Sequence, residues 1–230
     1  MGLVSICTPL SPVISLDYIE YVVSTYCVLY TLCIYSLQEP NNMTITLLAK
    51  KGGVGKSTVC LLLYEAFRKS GKSVAIQDWD AQGTSNKALG LIQGQRAEPN
   101  VEYDIRIFDT PPNLEHAATA AAVRSADVAI VVTSPAPADV WEAEEAVRFA
   151  LSKKGSNASV RVLFNKVKKN TVLGRLIEES AKQVGAPVIP THLSARECYQ
   201  HAIGQGWSAL DANAREEVLQ LAVSLMALGK

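Results

Sequence analysis

Lysines and hydroxyl side chains gathered around a cluster of glycines make one stretch of this 230-residue chain suited to chemistry: Lys50-Lys51-Gly52-Gly53-Val54-Gly55-Lys56-Ser57-Thr58. Glycines 52, 53 and 55 open backbone conformations closed to other residues, so successive N–H groups can turn inward and cradle phosphate oxygens at a helix N-terminus. Lys56 is then placed to reach β- and γ-phosphates, and Ser57 to set its hydroxyl on Mg²⁺. Two carboxylate groups follow. Asp78-Trp79-Asp80-Ala81-Gln82-Gly83 closes an apolar run, Ser73 to Gln77, and Asp109-Thr110-Pro111-Pro112 closes another, Asp104 to Phe108. Carboxylates at the carboxyl ends of parallel strands lie where open α/β sheets bind ligands. An apolar run ending in Asp beside a phosphate loop is a Walker B element, which places Asp109 to hold a Mg²⁺-bound water.

The loop departs from the common pattern G-x-x-x-x-G-K-[ST] in carrying lysine at position 50 and a second lysine at 51. From Lys51 onward the spelling K-G-G-V-G-K-S-T resembles the deviant Walker A box of the ParA/MinD superfamily, and the resemblance extends over residues 43 to 228. In that family the lysine matching Lys51 crosses a dimer interface to the partner's nucleotide, so the resemblance implies a homodimer formed on ATP binding. The D-W-D-A-Q-G box resembles the family's D-x-D-P-Q-G, with Ala81 in place of proline. By that resemblance Asp80 orients or activates the attacking water and Asp78 supports Mg²⁺ and its waters. The D-T-P-P segment is similar to the family's switch, whose backbone senses the γ-phosphate. Asn165, after an apolar run, matches the position that reads the adenine base, a task for which a carboxamide offers both donor and acceptor. The resemblance thus implies an ATPase with Lys51, Lys56 and Asp80 in catalysis. It implies nucleotide contacts from Lys51 through Thr58 and from Asn165, and a metal site of Ser57, Asp78 and Asp109.

These groups need elements to hold them. Strand character at Thr44 to Ala49 and helical periodicity from Val59 to Arg68 flank the loop. Beyond the two carboxylate boxes, the sequence predicts a short helix over Thr84 to Leu89 and an alanine-rich helix over Leu114 to Ala126, with His116 at its start. A strand buried on both sides is expected at Asp127 to Thr133, a helix capped by Asp139 and running to about Lys153, a strand at Val160 to Phe164, and a short late strand at Pro187 to Pro190. A helix at Cys198 and its neighbours, a glycine turn and a last helix over Ala214 to Leu228 complete the chain. Alternating strands and helices predict a doubly wound α/β fold of the P-loop NTPase class, with a mainly parallel sheet and helices on both faces.

Lys and Arg number 22 against 22 Asp and Glu, so the whole chain carries no basic signal for nucleic acid and any such surface must be local. Residues 1 to 42 differ from the rest in holding no Lys or Arg, three of the five cysteines and five of the eight tyrosines. They read as a leader outside the fold, with Met43 as a natural start and a membrane anchor as the alternative, and 43 to 230 as the ATPase domain. The five cysteines include no C-x-x-C pair, which argues against a zinc site or a disulfide framework and suits a reducing cytoplasm. Lys166, Lys168, Lys169, Arg175 and Lys182 form the densest basic stretch; phosphate contacts without base readout would suit it, as ParA proteins use on non-specific DNA, and Arg196 would add to that surface. The last helix lacks the cationic stripe and aromatics of a membrane-targeting helix. The expectation is a cytoplasmic, nucleoid-associated partition ATPase stimulated by a ParB-type adaptor and moving a plasmid, chromosome or other cargo. A MinD-like, membrane-associated ATPase is the alternative.

Overall fold

The computed structural model describes residues 42–168, 171 and 177–228. Its centre is a five-stranded parallel sheet of β1 (Met43–Leu48), β2 (Val74–Asp78), β3 (Ile105–Asp109), β4 (Val128–Thr133) and β5 (Ser159–Phe164), in spatial order β2-β3-β1-β4-β5. Every residue of β4 is buried, as in a strand covered on both faces. Parallel pairing needs a crossover between strands, and helices supply it. They are α1 (Lys56–Lys69), α2 (Thr84–Leu91), α3 (Ala117–Ser125) and α4 (Pro137–Lys153), followed after β5 by α5 (Ile177–Gln183), α6 (Cys198–Gln205) and α7 (Ala212–Met226).

Alternation along the strands divides the core in two. Ile45 and Leu47 of β1, with Ile107 and Ile130, face α1, α2, α6 and α7. Leu48, Ala129, Val131 and Phe164 face α3, α4 and α5. Tyr64 and Phe67 of α1 and Phe164 of β5 are among the largest fully buried side chains; each large apolar side chain so buried stabilises the fold by about 1.5–3 kcal/mol.

Register brings the chemistry into line. Asp78 pairs with Asp109, and Asp109 with Leu47, so both carboxylate boxes and the phosphate loop leave the sheet at one level. The chain leaves β1 for α1 on one face and leaves β3 and β4 for α3 and α4 on the other. This reversal opens a crevice at the carboxyl edge around β1.

Strand positions agree with the sequence reading to within a residue, and three local features differ. Asp139 does not cap α4: the cap is Ala136 in extended conformation, Pro137 opens the helix, and Asp139 stands in its first turn. The expected strand at Pro187 to Pro190 shrinks to a single bridge, Val188 to Val162, flanked by two backbone hydrogen bonds of 3.0 and 2.8 Å. Helix α5 had no counterpart in the reading; its Ile177 and Ala181 pack on the α4 side of the sheet.

Candidate functional site

The phosphate loop runs from Ala49 to Gly55 between β1 and α1. Gly53 and Gly55 take left-handed conformations, φ +83° and +97°. Gly55 is also the N-cap of α1, and because it has no side chain to accept a hydrogen bond, the first N–H groups of the helix stay directed at the loop's concavity. A Cβ on Gly55 would lie 2.3 Å from Asn165 Nδ2, so glycine is required there for space as well as for conformation.

Lys56 is buried at 7% exposure, and burial pulls its pKa down against the opposing pull of Asp109. Asp109 is fully buried. Burial pushes its carboxyl above the ordinary range, opposed by the hydroxyls of Ser57 and Ser85. Ser85 Oγ donates to Asp109 Oδ2 at 2.5 Å, whereas Oδ1 has no hydrogen-bond partner among the described residues. An orphaned, buried carboxylate oxygen beside a serine hydroxyl fits a hard divalent cation. Thr110, next in the D-T-P-P segment, is buried and donates to the Leu47 carbonyl at 2.8 Å, tying that segment to the foot of the phosphate loop.

Asp78 serves its own box. Its oxygens accept the backbone N–H groups of Asp80 and Asn86, each at 3.0 Å, which fixes the turn that presents Asp80 and the start of α2. Asp80 accepts the Gln82 N–H at 3.0 Å and acts on Lys56 through its charge. Trp79 turns away from the site and stacks on Phe108, with ring centroids 4.7 Å apart. Cys60, one turn further along α1, is wholly buried; burial and then the Asp109 charge push its thiol pKa well up.

The two loop lysines face outward, to α4. Lys51 Nζ donates to Asp139 Oδ1 at 2.7 Å, and Lys50 Nζ lies 2.9 Å from Glu142 and 2.6 Å from Glu145. Asp139 also accepts the Ser134 hydroxyl at 2.6 Å; burial pushes its pKa up, but the Lys51 and Ser134 hydrogen bonds bring it below the ordinary value. On the far side of the loop, Asn165 donates to the Val54 carbonyl at 2.9 Å and accepts the Lys166 N–H at 2.9 Å. The structure therefore seats this carboxamide against the loop, at 5% exposure. Lys166 has φ +57° and places Nζ 2.6 Å from the Gly53 carbonyl. A cleft of about 320 Å³ opens beside Gly55 and Thr58, walled by Asn165, Lys168, Ser194 and Arg196.

Lys51, Lys56, Ser57, Asp78, Asp80 and Asp109 thus gather at one edge, with Asn165 behind the loop. The basic stretch is less uniform. Lys168 is exposed, Lys166 is turned to the loop, and Arg196 is held 3.0 Å from Glu217 and is only partly exposed. Lys169 and Arg175 lie outside the described residues. Sequence reasoning overlooked Ser85, Asp139 as the partner of Lys51, and Glu217. A serine or carboxylate in an ordinary helix gives no local signal of a partner 18 to 88 residues away. His116, read as a cap or surface residue, does cap α3, its Nδ1 accepting the Ala118 N–H at 3.2 Å.

Comparison with known proteins places these features in a group. Residues 45–207 match the model of the CobQ/CobB/MinD/ParA nucleotide-binding domain. A "Maintenance of carboxysome distribution protein A" from Gloeobacter kilaueensis is 32% identical over 192 residues, which cover 75% of this chain and 87% of that protein. The fold is similar to the MinD cell division protein of Aquifex aeolicus, with a TM-score of 0.66, 20% identity and coverage of 80% of this chain and 97% of that one. It is also similar to a McdA variant from Cyanothece in complex with ATP, with a TM-score of 0.64, 14% identity and coverage of 80% and 96%. With the domain match spanning most of the chain and the phosphate loop, both carboxylate boxes and the parallel sheet in place, the chain belongs to the CobQ/CobB/MinD/ParA family of nucleotide-binding proteins.

Proposed function

We propose that this protein is a Mg²⁺-dependent ATPase of the positioning kind, which dimerises face to face on ATP and uses hydrolysis to reset the dimer. The observation that carries the reading is Lys51. It stands on the outer rim of a phosphate loop, half-exposed and paired with Asp139 of α4 rather than turned into its own cradle, a placement that suits use by a second copy. Lys56 and the α1 N-terminus would hold the phosphates. Ser57 and Asp109 would hold the cation, which when bound neutralises charge on the transferred phosphoryl group. Asp78, its oxygens engaged by backbone N–H groups, would act as the brace of Asp80 and reach the cation only through water. Asp80 would orient the attacking water. Asn165 would brace the base side of the loop, and the cleft beside Thr58 would take the base.

The 32% identical relative is named for carboxysome distribution, which favours a proteinaceous cargo over a plasmid or chromosome. For the track, we propose non-specific DNA engaged by Lys168 with Lys169 and Arg175; Lys166 and Arg196 are secondary, since both are partly taken by contacts within the chain. A partner protein of ParB type would then stimulate release. The membrane-associated alternative draws no support from α7, whose Val218, Leu221, Ala222 and Leu225 are buried in the core rather than offered to lipid. No helix among the described residues is long and apolar enough to cross a membrane.

The test is sedimentation of the protein with ATP, ADP or no nucleotide, with and without arbitrary duplex DNA, across a salt series. Dimers with ATP alone, binding DNA in a salt-sensitive way, are expected. A monomer in all three states would refute the reading. A dimer indifferent to DNA would remove the DNA track and leave the ATPase.

A further inference from the structure

Glu217 lies on α7, far in sequence from every nucleotide motif, and is 9% exposed. At least five donor atoms of the described residues converge on its carboxylate. The Ser194 N–H and hydroxyl lie at 3.0 and 2.7 Å, the Tyr199 hydroxyl at 2.9 Å, and Arg196 Nη2 and Nε at 3.0 and 3.4 Å. Ser194, Arg196 and Tyr199 all line the cleft of about 320 Å³ that opens beside Gly55 and Thr58, whereas Glu217 stands behind them and does not line it. One carboxylate therefore gathers the side chains of three of the residues that wall that cleft.

Two further attachments tie the wall to the phosphate side. Backbone hydrogen bonds join Val167 to Leu193 at 3.0 Å and Ala195 to Val167 at 2.8 Å, locking the Ser194 segment to the strand end that carries Asn165. On α7 itself, Val218, Leu221 and Leu225 pack in the same core as α1, the helix whose N-terminus forms the phosphate cradle. The Ser194–Tyr199 wall is thus tied to the phosphate side by two routes, through the backbone at Val167 and through the side chain of Glu217, and among the described residues Glu217 alone holds the Ser194, Arg196 and Tyr199 side chains together.

We propose that Glu217 is a positioning residue that sets the nucleobase wall of the nucleotide site and so governs preference for a nucleoside triphosphate over bare polyphosphate. The proposal rests on the nucleotide-binding reading above, in which the base occupies this cleft. A residue holding only the overall fold would weaken all ligands of the loop together. One holding the base wall weakens those ligands that carry a base.

The experiment measures dissociation constants of the full chain for Mg²⁺-ATP and Mg²⁺-tripolyphosphate by calorimetry, in the wild type, in Glu217→Gln and in Tyr199→Phe. Gln keeps one acceptor oxygen but sets an amide against Arg196, and Phe removes a single hydroxyl, a change the fold should survive even if the first variant does not. Glu217→Gln is expected to weaken ATP about tenfold and Tyr199→Phe less, in the same direction, with tripolyphosphate binding unchanged in both. A wild-type preference for ATP that survives in Tyr199→Phe and in folded Glu217→Gln would overturn the role of Glu217, as would a parallel loss of both ligands. A wild type that binds ATP but no more tightly than tripolyphosphate would overturn the base cleft itself. A wild type that binds neither ligand would overturn the nucleotide reading beneath it.

Discussion

Gly55 is the residue with the least room to change. Its φ of +97° excludes most side chains, and a Cβ there would strike the Asn165 amide at 2.3 Å, breaking the bond from that amide to Val54. Gly55→Ala should cost about 1–3 kcal/mol of stability and abolish nucleotide binding. Gly53→Ala, at φ +83° with nothing within 4 Å among the described residues, should be milder in thermal melts and ATP titrations run side by side. Lys51→Ala severs a partly exposed ion pair with Asp139 and should leave the melting temperature little changed while eliminating ATP-dependent dimers in sedimentation. Persistent dimers would place the cross-subunit contact elsewhere. Asp80→Ala removes the carboxylate of the turn that Asp78 braces and should stop phosphate release while ATP still binds and holds the dimer; full turnover in that variant would take Asp80 out of the mechanism. Most of these residues were legible in the sequence because glycine spacing and strand-end carboxylates carry their own physical reasons. Their partners were not. Asp139 read as a helix cap, since a carboxylate near a helix start commonly is one; only the loop's path showed that it faces Lys51 instead.

At the scale of elements, the strands were read almost to the residue because each is a short apolar run ending in a turn signal, with buried positions continuous rather than alternating in the central strands. Helix α5 escaped because its seven residues, Ile177–Gln183, are too few and too polar to show a period. The late strand failed for a different reason: prolines at 187 and 190 bracket it, and proline carries no N–H for a ladder. The joint between α7 and the segment before α6 carries a pH dependence. Burial, the largest influence on Glu217, pushes its pKa up, but the hydrogen bonds from Arg196, Ser194 and Tyr199 outweigh it and hold the group at about 2 against an ordinary 4.5. Because the folded value is the lower one, this joint contributes its full stability above about pH 4.5 and loses it as the pH falls toward 2. Thermal midpoints measured through that window should fall less steeply in Glu217→Gln than in the wild type; parallel curves would show that other carboxylates carry the acid sensitivity.

For the whole molecule, the doubly wound architecture follows from the alternation of strands and helices, and what function adds is confined to one edge of it. All the residues assigned to phosphate, metal or water stand where strands end, so the remainder of the fold serves to hold that edge still. Charge balance over the chain said little, because the lysines that matter are a handful on one rim and are offset by the carboxylates of α4. That compact edge has Cys60 sealed behind it. A thiol is alkylated as its thiolate, and burial suppresses both the thiolate and the approach of a reagent, so labelling must wait until α1 lifts from the sheet. With Cys7, Cys27, Cys33 and Cys198 replaced by serine, the alkylation rate of the remaining thiol becomes a clock for that opening. Mg²⁺-ATP should slow the clock in proportion to its occupancy, because a ligand held by the helix N-terminus must leave before the helix does. An unchanged rate would mean that α1 opens with nucleotide in place, and that the cradle and the core behind it move separately.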